Sequence, residues 1–400
     1  MSGAAEKGRW LPVAAYAALA AATQVLWLTY APLTTASARH YRVSETAVGW
    51  LAELFPLLYV VLAIPAGRLL DRSFHRWLAV GAVLTALGGV ARIVGASSFG
   101  WALLGQLLVA VGQPLVLNAV TKVAGEHLPP RLRPHGIAVG SAGIFGGMLA
   151  ALVLGTAFGG RHLVALLDVQ AVFGVIAALA MLAALRRRGA SHDAEPAVAV
   201  GLLALREVWA DRSVRIMAGL LFLGFGAFIA LTTWLQALLH NYRVSSTTAG
   251  TLLVAMVLAG AVGAAALPPL VVRRRAEQRI VGASVLVTVV GAILLAFEHA
   301  VAADAVVLVP IGLLLLTDLP VILELSERRA GAAAGTVTAL LWLAGNAGGL
   351  VVALLVQLLV HHPTPAFLLL AAISLCAVPL VAVLAPSSEP LAPLAPAAAD

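Results

Sequence analysis

A chain of 400 residues that is 62% hydrophobic and 11% charged, with a mean hydropathy of +1.01, holds more apolar surface than a soluble fold can bury and is read as a polytopic membrane protein. Its net charge of +7 then belongs to topology and anionic lipid headgroups rather than to nucleic acid. One cysteine, Cys376, excludes an internal disulfide, and with Lys7 and Lys122 as the only lysines there is no Gly-x-x-x-x-Gly-Lys phosphate loop, which excludes ATP-driven pumping by this chain.

A window of the ~20 residues needed to cross a bilayer resolves twelve apolar runs. The first six fall at about 11–36, 46–66, 77–96, 99–121, 135–158 and 163–185. The second six fall at about 214–238, 247–272, 279–297, 303–324, 332–360 and 365–385. The first run is too long for a cleavable signal, and Arg9 flanks it as an anchor. After it comes Tyr41-Arg42-Val43-Ser44, leading through Val48-Gly49 into span 2; the same pattern returns 201 residues later as Tyr242-Arg243-Val244-Ser245, leading through Ala249-Gly250 into span 8. The chain is therefore read as a tandem duplication of a six-span half. An even number of spans per half makes the two a parallel repeat about an axis along the membrane normal. The expected layout is an N-terminal half over 1–190, a polar cytoplasmic linker over 191–213, a C-terminal half over 214–385, and a Pro/Ala-rich disordered cytoplasmic tail over 386–400.

Basic residues mark the cytoplasmic side. With the N-terminus inside, only Arg39, Arg42, Arg92, Arg161 and Arg243 of the 25 Lys and Arg fall outside. Both termini are then cytoplasmic, in a cytoplasmic (plasma) membrane.

Between spans 2 and 3 the sequence reads Gly67-Arg68-Leu69-Leu70-Asp71-Arg72-Ser73-Phe74-His75-Arg76. With twelve spans in two parallel sixes, this loop resembles the Gly-x-x-x-Asp-Arg-x-Gly-x-x-Arg signature of the major facilitator superfamily, with Phe74 at the second glycine. The resemblance implies an all-α membrane fold working by alternating access. Gly67, Asp71, Arg72 and Arg76 are the expected cytoplasmic latch, in which Asp71 pairs with arginine and with a helix N-terminus. The matching loop of the second half, Pro268-Pro269 through Arg275, has lost the glycine and the acid.

Finer motifs resemble the feline leukaemia virus subgroup C receptor-related (FLVCR) family. They are Gln24 to Tyr30, Tyr41 to Ser44 and Val48 to Leu51, then Gly105-Gln106-Leu107, Gly112-Gln113 and Lys122, and in the second half Leu319-Pro320, Glu324, Gly335 and Leu340-Leu341. That family implies carriage of choline and ethanolamine, with haem also attributed to it, through a cage in which a tryptophan of span 1 faces a quaternary ammonium. Trp27 matches that tryptophan, Gln113 matches a cavity glutamine, and Asn346 holds the second glutamine position. The family's tyrosine of span 7 falls on Ile229, so either Trp234 substitutes from one turn away or the substrate is not choline. Trp27, Gln113 and Asn346 each lie ~13 to 16 residues into their spans, or ~20 to 24 Å deep. The alternatives are packing for Trp27 and a bond between helices for Asn346.

Acids inside spans cost ~2.5 to 3.5 kcal/mol at the centre and count as functional by default. Asp318, beside Pro320 in span 10, either neutralises a cationic substrate, carries a coupling proton, or caps the backbone that the proline frees. Glu53 in span 2 is a gate or faces a polar lumen. Glu324 sits with Glu327, Arg328 and Arg329 at the inner mouth, where it couples, gates or simply pairs. Gly136, Gly140, Gly143 and Gly147 in span 5 have the small-xxx-small spacing of closely packed helices.

All ten histidines fall in loops or at span ends, so no metal site is expected, and no cofactor. No nucleophile and base share a depth, so no enzyme is expected. The sequence reading is a secondary transporter of a small organic solute, a choline-like cation or amino alcohol. The alternatives are proton-coupled efflux of amphipathic drugs or metabolites, demoted because Gly140-Ser141-Ala142-Gly143 lacks proline, and a non-transporting receptor on a transporter fold. The expected partners are the small-molecule substrate and the lipid bilayer, with no nucleic acid, and the carrier is expected to be a monomer.

Overall fold

The structure is a computed structural model that describes residues 9–129, 132–186, 206, 208–298, 300–330 and 334–384. Most of the expected linker and the whole of the expected tail lie outside the described residues. Among those described every regular element is helical, and twelve helical spans are long and apolar enough to cross a membrane. In chain order, spans 1 to 6 are Trp10–Tyr41, Glu45–Leu70, Phe74–Val94, Phe99–Leu117, His135–Phe158 and Gly160–Arg186. Spans 7 to 12 are Arg212–Asn241, Ser246–Ala266, Glu277–Phe297, Val301–Ser326, Val337–Gln357 and Pro363–Ala382. The chain divides into two compact units, Met1–Ala199 with Ser245–Val254, and Val200–Val244 with Ala255–Asp400.

The repeated Tyr-Arg-Val-Ser turns out to be a helix-to-helix turn. In both copies the arginine is left-handed, Arg42 at φ 57° and Arg243 at φ 65°. The next residue then donates back five positions, Val43 N to Ala38 O at 3.0 Å and Val244 N to Leu239 O at 3.1 Å. This is the bonding of a Schellman C-cap. The serine that follows starts the next span, Ser44 Oγ accepting from Ala47 N and Ser245 Oγ from Thr248 N, each at 3.1 Å, as an N-cap hydroxyl does. A left-handed arginine costs ~1 to 2 kcal/mol. Both halves tolerate that cost because the turn closes one span and opens the next.

Two spans end earlier than the hydropathy suggests. The helix of span 4 stops at Leu117, and a separate helix runs Val120–His127. Pro114 removes an internal donor there. Asn118 at the break donates to Ala63 O at 3.0 Å and accepts from Tyr59 OH at 2.9 Å, tying span 2 to span 4. Span 8 stops at Ala266, and Pro268 opens a short helix ending at Arg273.

Within the first unit, span 5 lies against span 1 through its glycines. A Cβ on Gly143 or Gly147 would enter the backbone of Ala17 or Ala21, and one on Gly140 would lie 2.8 Å from Tyr16 and Val120. In the second unit span 7 meets span 11 in the same way: a Cβ on Gly226 would stand 2.8 Å from Gly348 O, and one on Gly348 would collide with the Phe222 carbonyl. Backbone cannot yield as a side chain tip can. Gly348→Ala is therefore expected to cost roughly 1 to 3 kcal/mol through overpacking. Thermal unfolding of the detergent-solubilised protein, followed by fluorescence-detected gel filtration, reads that cost as a lowered midpoint; an unchanged midpoint would show that the two spans can part.

Candidate functional site

Span 1 is not one regular helix. Its α-helix runs Trp10–Trp27, gives way to a 3-10 segment Leu28–Leu33 containing Pro32, and resumes over Thr34–Tyr41. Trp27 is the last α-helical residue before the break and is 6% exposed. Its indole Nε1 donates to Ala52 O of span 2 at 2.9 Å, and its ring stacks on Phe55 at 5.8 Å between centroids. Those two contacts fix the plane of the ring. Phe55 was not singled out in the sequence, although it stands one helical turn after Ala52 and so on the same face.

Behind Trp27 lies a buried polar network that the sequence reading misplaces. Arg92, counted there on the outer side, is fully buried inside the first unit. Its Nη1 donates to Leu26 O at 3.2 Å, Thr29 Oγ1 at 2.8 Å and Gln106 Oε1 at 3.3 Å. Its Nη2 donates to Gln170 Oε1 at 3.2 Å, which also accepts from Thr29 Oγ1 at 2.7 Å. Gln106 then turns its amide nitrogen to Leu51 O at 3.1 Å and Trp27 O at 3.4 Å. One guanidinium thus joins spans 1, 3, 4 and 6 and is linked to the backbone of the Trp27 break. Arg92 lies within the helix of span 3, and where span 1 changes from α-helix to 3-10 it takes up one backbone carbonyl, Leu26 O, and the Thr29 hydroxyl.

Gln113 is 3% exposed on span 4, and its Nε2 has no hydrogen-bond acceptor among the described residues. Its span packs on both span 1 and span 2. A buried amide with a donor in hand is suited to receive an oxygen from a ligand. Glu53 is fully buried on span 2.

In the second unit Asn346 is 9% exposed and donates to Trp342 O of its own helix at 2.9 Å. Trp342 and Phe225 of span 7 meet edge to face at 6.0 Å, and Phe225 stacks on Phe228 at 6.0 Å. Aromatic surface beside Asn346 is therefore supplied by Phe225 and Trp342, both only part-buried, whereas Trp234 and Ile229 are packed away at 0% and 1% exposure. The sequence signal for this cluster is Phe225, Phe228 and Trp342, whose pairing only the packing of spans 7 and 11 reveals. Asp318 lines a cavity inside the second unit with residues of spans 7, 9 and 12. Glu324 is part-buried; the side chains of Glu327, Arg328 and Arg329 lie outside the described residues.

At the loop between spans 2 and 3 the Asp71 side chain is likewise outside what is described. A methyl on Gly67 would meet nothing within 4 Å. Arg72 is exposed in the last turn of its helix, and the Arg76 guanidinium lies 5.8 Å over the Trp77 ring. His75 Nε2 meets Glu126 Oε1 at 2.8 Å, joining this loop to the helix Val120–His127. Among the described residues no group of three or more His, Cys, Asp or Glu is placed to hold a metal ion.

A family model described as Major Facilitator Superfamily matches residues 13–353. The chain is 27% identical over 383 residues to Solute carrier family 49 member A3 of Danio rerio, covering 89% of this chain and 80% of that protein. It is 26% identical over 119 residues to Choline/ethanolamine transporter FLVCR2 of Homo sapiens, a stretch covering 29% of this chain and 23% of that one. The fold matches a solved bacterial homologue of the human lysosomal transporter Spinster, in an inward-facing and unoccupied conformation, with a TM-score of 0.69 at 15% identity over 94% of this chain and 95% of that one. The resemblance to the FLVCR family read from short motifs is thus found again in a partial match, over 119 residues. Twelve apolar spans, a duplicated turn and a family match over residues 13–353 lead to one assignment: the chain belongs to the major facilitator superfamily, as an integral membrane protein.

Proposed function

We propose that the chain is a secondary carrier that moves a small organic solute across the cytoplasmic membrane by alternating access, with a choline-like cation or amino alcohol as the substrate class. The observation that carries this reading is the Trp27 indole, held by its N–H on Ala52 and by Phe55 beside it. A ring fixed at both points is preorganised, and a desolvated ammonium over such a face gains ~2 kcal/mol or more. Gln113 adds an amide donor for a hydroxyl, and Asn346 beside Trp342 and Phe225 offers the same aromatic-and-amide chemistry in the second unit. The basic residues of the inner loops support cytoplasmic termini. The latch role of Gly67, Asp71, Arg72 and Arg76 rests on their motif; beside it His75 pairs with Glu126 within the first unit.

Proteoliposomes containing the purified full chain, given radiolabelled choline, should show saturable uptake that unlabelled ethanolamine competes away. Uptake no greater than in empty vesicles, with the protein shown to be folded and inserted in both orientations, would remove choline from the reading and leave the carrier assignment standing.

A further inference from the structure

Span 2 carries two prolines inside its helix, Pro56 and Pro65, and the first of them stands beside the Trp27 group. A proline has no N–H, so Pro56 cannot donate to the carbonyl four residues back, which is Ala52 O. Its ring also crowds that carbonyl and tilts it off the helix axis. Within the membrane such an oxygen has to find its donor on a neighbouring helix. Ala52 is 4% exposed and Pro56 is buried. The donor that meets Ala52 O is Trp27 Nε1 of span 1, at the 2.9 Å of a full N–H···O bond. The requirement runs both ways, because a buried indole N–H also calls for a partner.

Other contacts converge on the same turn. Phe55, immediately before the proline, is the residue on which the Trp27 ring stacks, and Leu51 O, immediately before Ala52, accepts from Gln106 Nε2 at 3.1 Å. The indole bond, the ring stack and the Gln106 bond thus all fall within residues 51–56. The duplication supplies an internal comparison. At the offset of 201 that relates the two halves, Trp27 falls on Phe228, Ala52 on Leu253 and Pro56 on Val257. Phenylalanine has no side-chain N–H, and valine keeps the backbone N–H that proline lacks. The indole donor and the proline that frees a carbonyl are therefore absent together from the second half, as expected of two parts of one arrangement. Phe228 stacks instead on Phe225 of its own helix, at 6.0 Å between centroids. A proline that served only to bend span 2 would give no reason for the indole to be lost along with it.

We propose that Pro56 is a positioning residue for the Trp27 ring: it presents Ala52 O to span 1, and so fixes the plane in which the indole meets a ligand and how bulky an ammonium that face accepts. The consequence for specificity rests on the reading of Trp27 as a substrate-facing ring; the anchoring of the indole does not. Pro56→Ala restores an N–H at position 56, lets Ala52 O close its own helical bond, and leaves the indole without a directed acceptor.

The indole N–H signals of the 8 tryptophans, recorded by NMR on the full chain carrying isotope-labelled tryptophan in detergent, read the anchor without any substrate. Trp27→Phe removes one signal and so assigns it. Pro56→Ala is expected to move that signal upfield, the direction of a weakened hydrogen bond. Pro65→Ala, acting on Val61 O nine residues further on, should leave it in place. Pro56→Gly restores the same backbone donor and provides the test if Pro56→Ala fails to fold. In proteoliposomes Pro56→Ala should raise the choline concentration for half-maximal uptake to about that of Trp27→Phe, with the maximal rate little changed, and the double variant should be no worse than Trp27→Phe alone. An indole signal that stays in place in the position-56 variants would overturn the proposal, and so would affinity losses that add in the double variant. Absence of choline flux in wild type would count against the substrate reading alone, since the indole signal is measured without choline.

Discussion

Trp27→Ala is expected to raise the choline concentration for half-maximal uptake by roughly 30-fold or more, the factor that corresponds to ~2 kcal/mol of lost ring–ammonium attraction. The effect should fall on apparent affinity rather than on the amount of folded protein. Trp27 ends its α-helix, and its carbonyl at the break accepts from the side-chain amide of Gln106, a bond in which the indole has no part. Trp27→Phe separates the two roles of the side chain: it keeps an aromatic face against Phe55 and gives up the bond to Ala52 O. A phenyl ring free to tilt should recover part of the affinity and show a broader tolerance for bulky ammonium groups. The measurement is concentration-dependent uptake into proteoliposomes, normalised to protein inserted. An alanine variant that transports with wild-type apparent affinity would reduce Trp27 to a packing residue and send the search for the binding surface to Phe225 and Trp342.

The parts of this molecule that were legible in the sequence are those whose causes are local. A run of apolar residues needs no partner to be recognised, so the twelve spans emerged with edges only a few residues astray. The duplicated Tyr-Arg-Val-Ser was legible as a repeat, and its bonds explain its persistence: a C-cap and an N-cap occupy four consecutive residues and depend on nothing far away. Asp318 was legible for a similar reason, because an acid in an apolar run stands out at once. Partnership was not legible. Arg92 reads as an outer charge near the end of span 3 until Thr29, Gln106 and Gln170, from three other spans, are seen to converge on it. Phe55, Asn118 and the pairing of Phe225 with Trp342 were missed for the same reason. Burial of Arg92 takes one arginine out of the outer-side tally and leaves unchanged the basic residues on which the expected orientation rests.

Arg92→Met is expected to lower the stability of the first unit by roughly 2 kcal/mol or more, although methionine is close in length and suits an apolar core. Hydrogen bonds between membrane helices average ~0.6 kcal/mol each, because chains unfolded within the bilayer find other partners. Arg92 makes four, to acceptors on spans 1, 4 and 6. Methionine would leave the Gln106 and Gln170 carbonyl oxygens without that donor. Removing the buried charge itself works in the other direction, and an apolar replacement can sometimes gain from that. Here the acceptors remain in place while the donor goes, so the cost of unpaired groups decides the sign. Arg92→Lys tests the geometry rather than the charge: a single ammonium cannot set Nη1 on Gln106 and Nη2 on Gln170 at once, so lysine should recover only part of the loss. Thermal unfolding in one detergent, with all three proteins at one pH, orders wild type above lysine above methionine. The same network predicts a functional signature, because Gln106 passes the constraint from Arg92 to Trp27 O. Gln106→Leu should weaken choline affinity more than it lowers the unfolding midpoint, whereas a purely structural network would move both together.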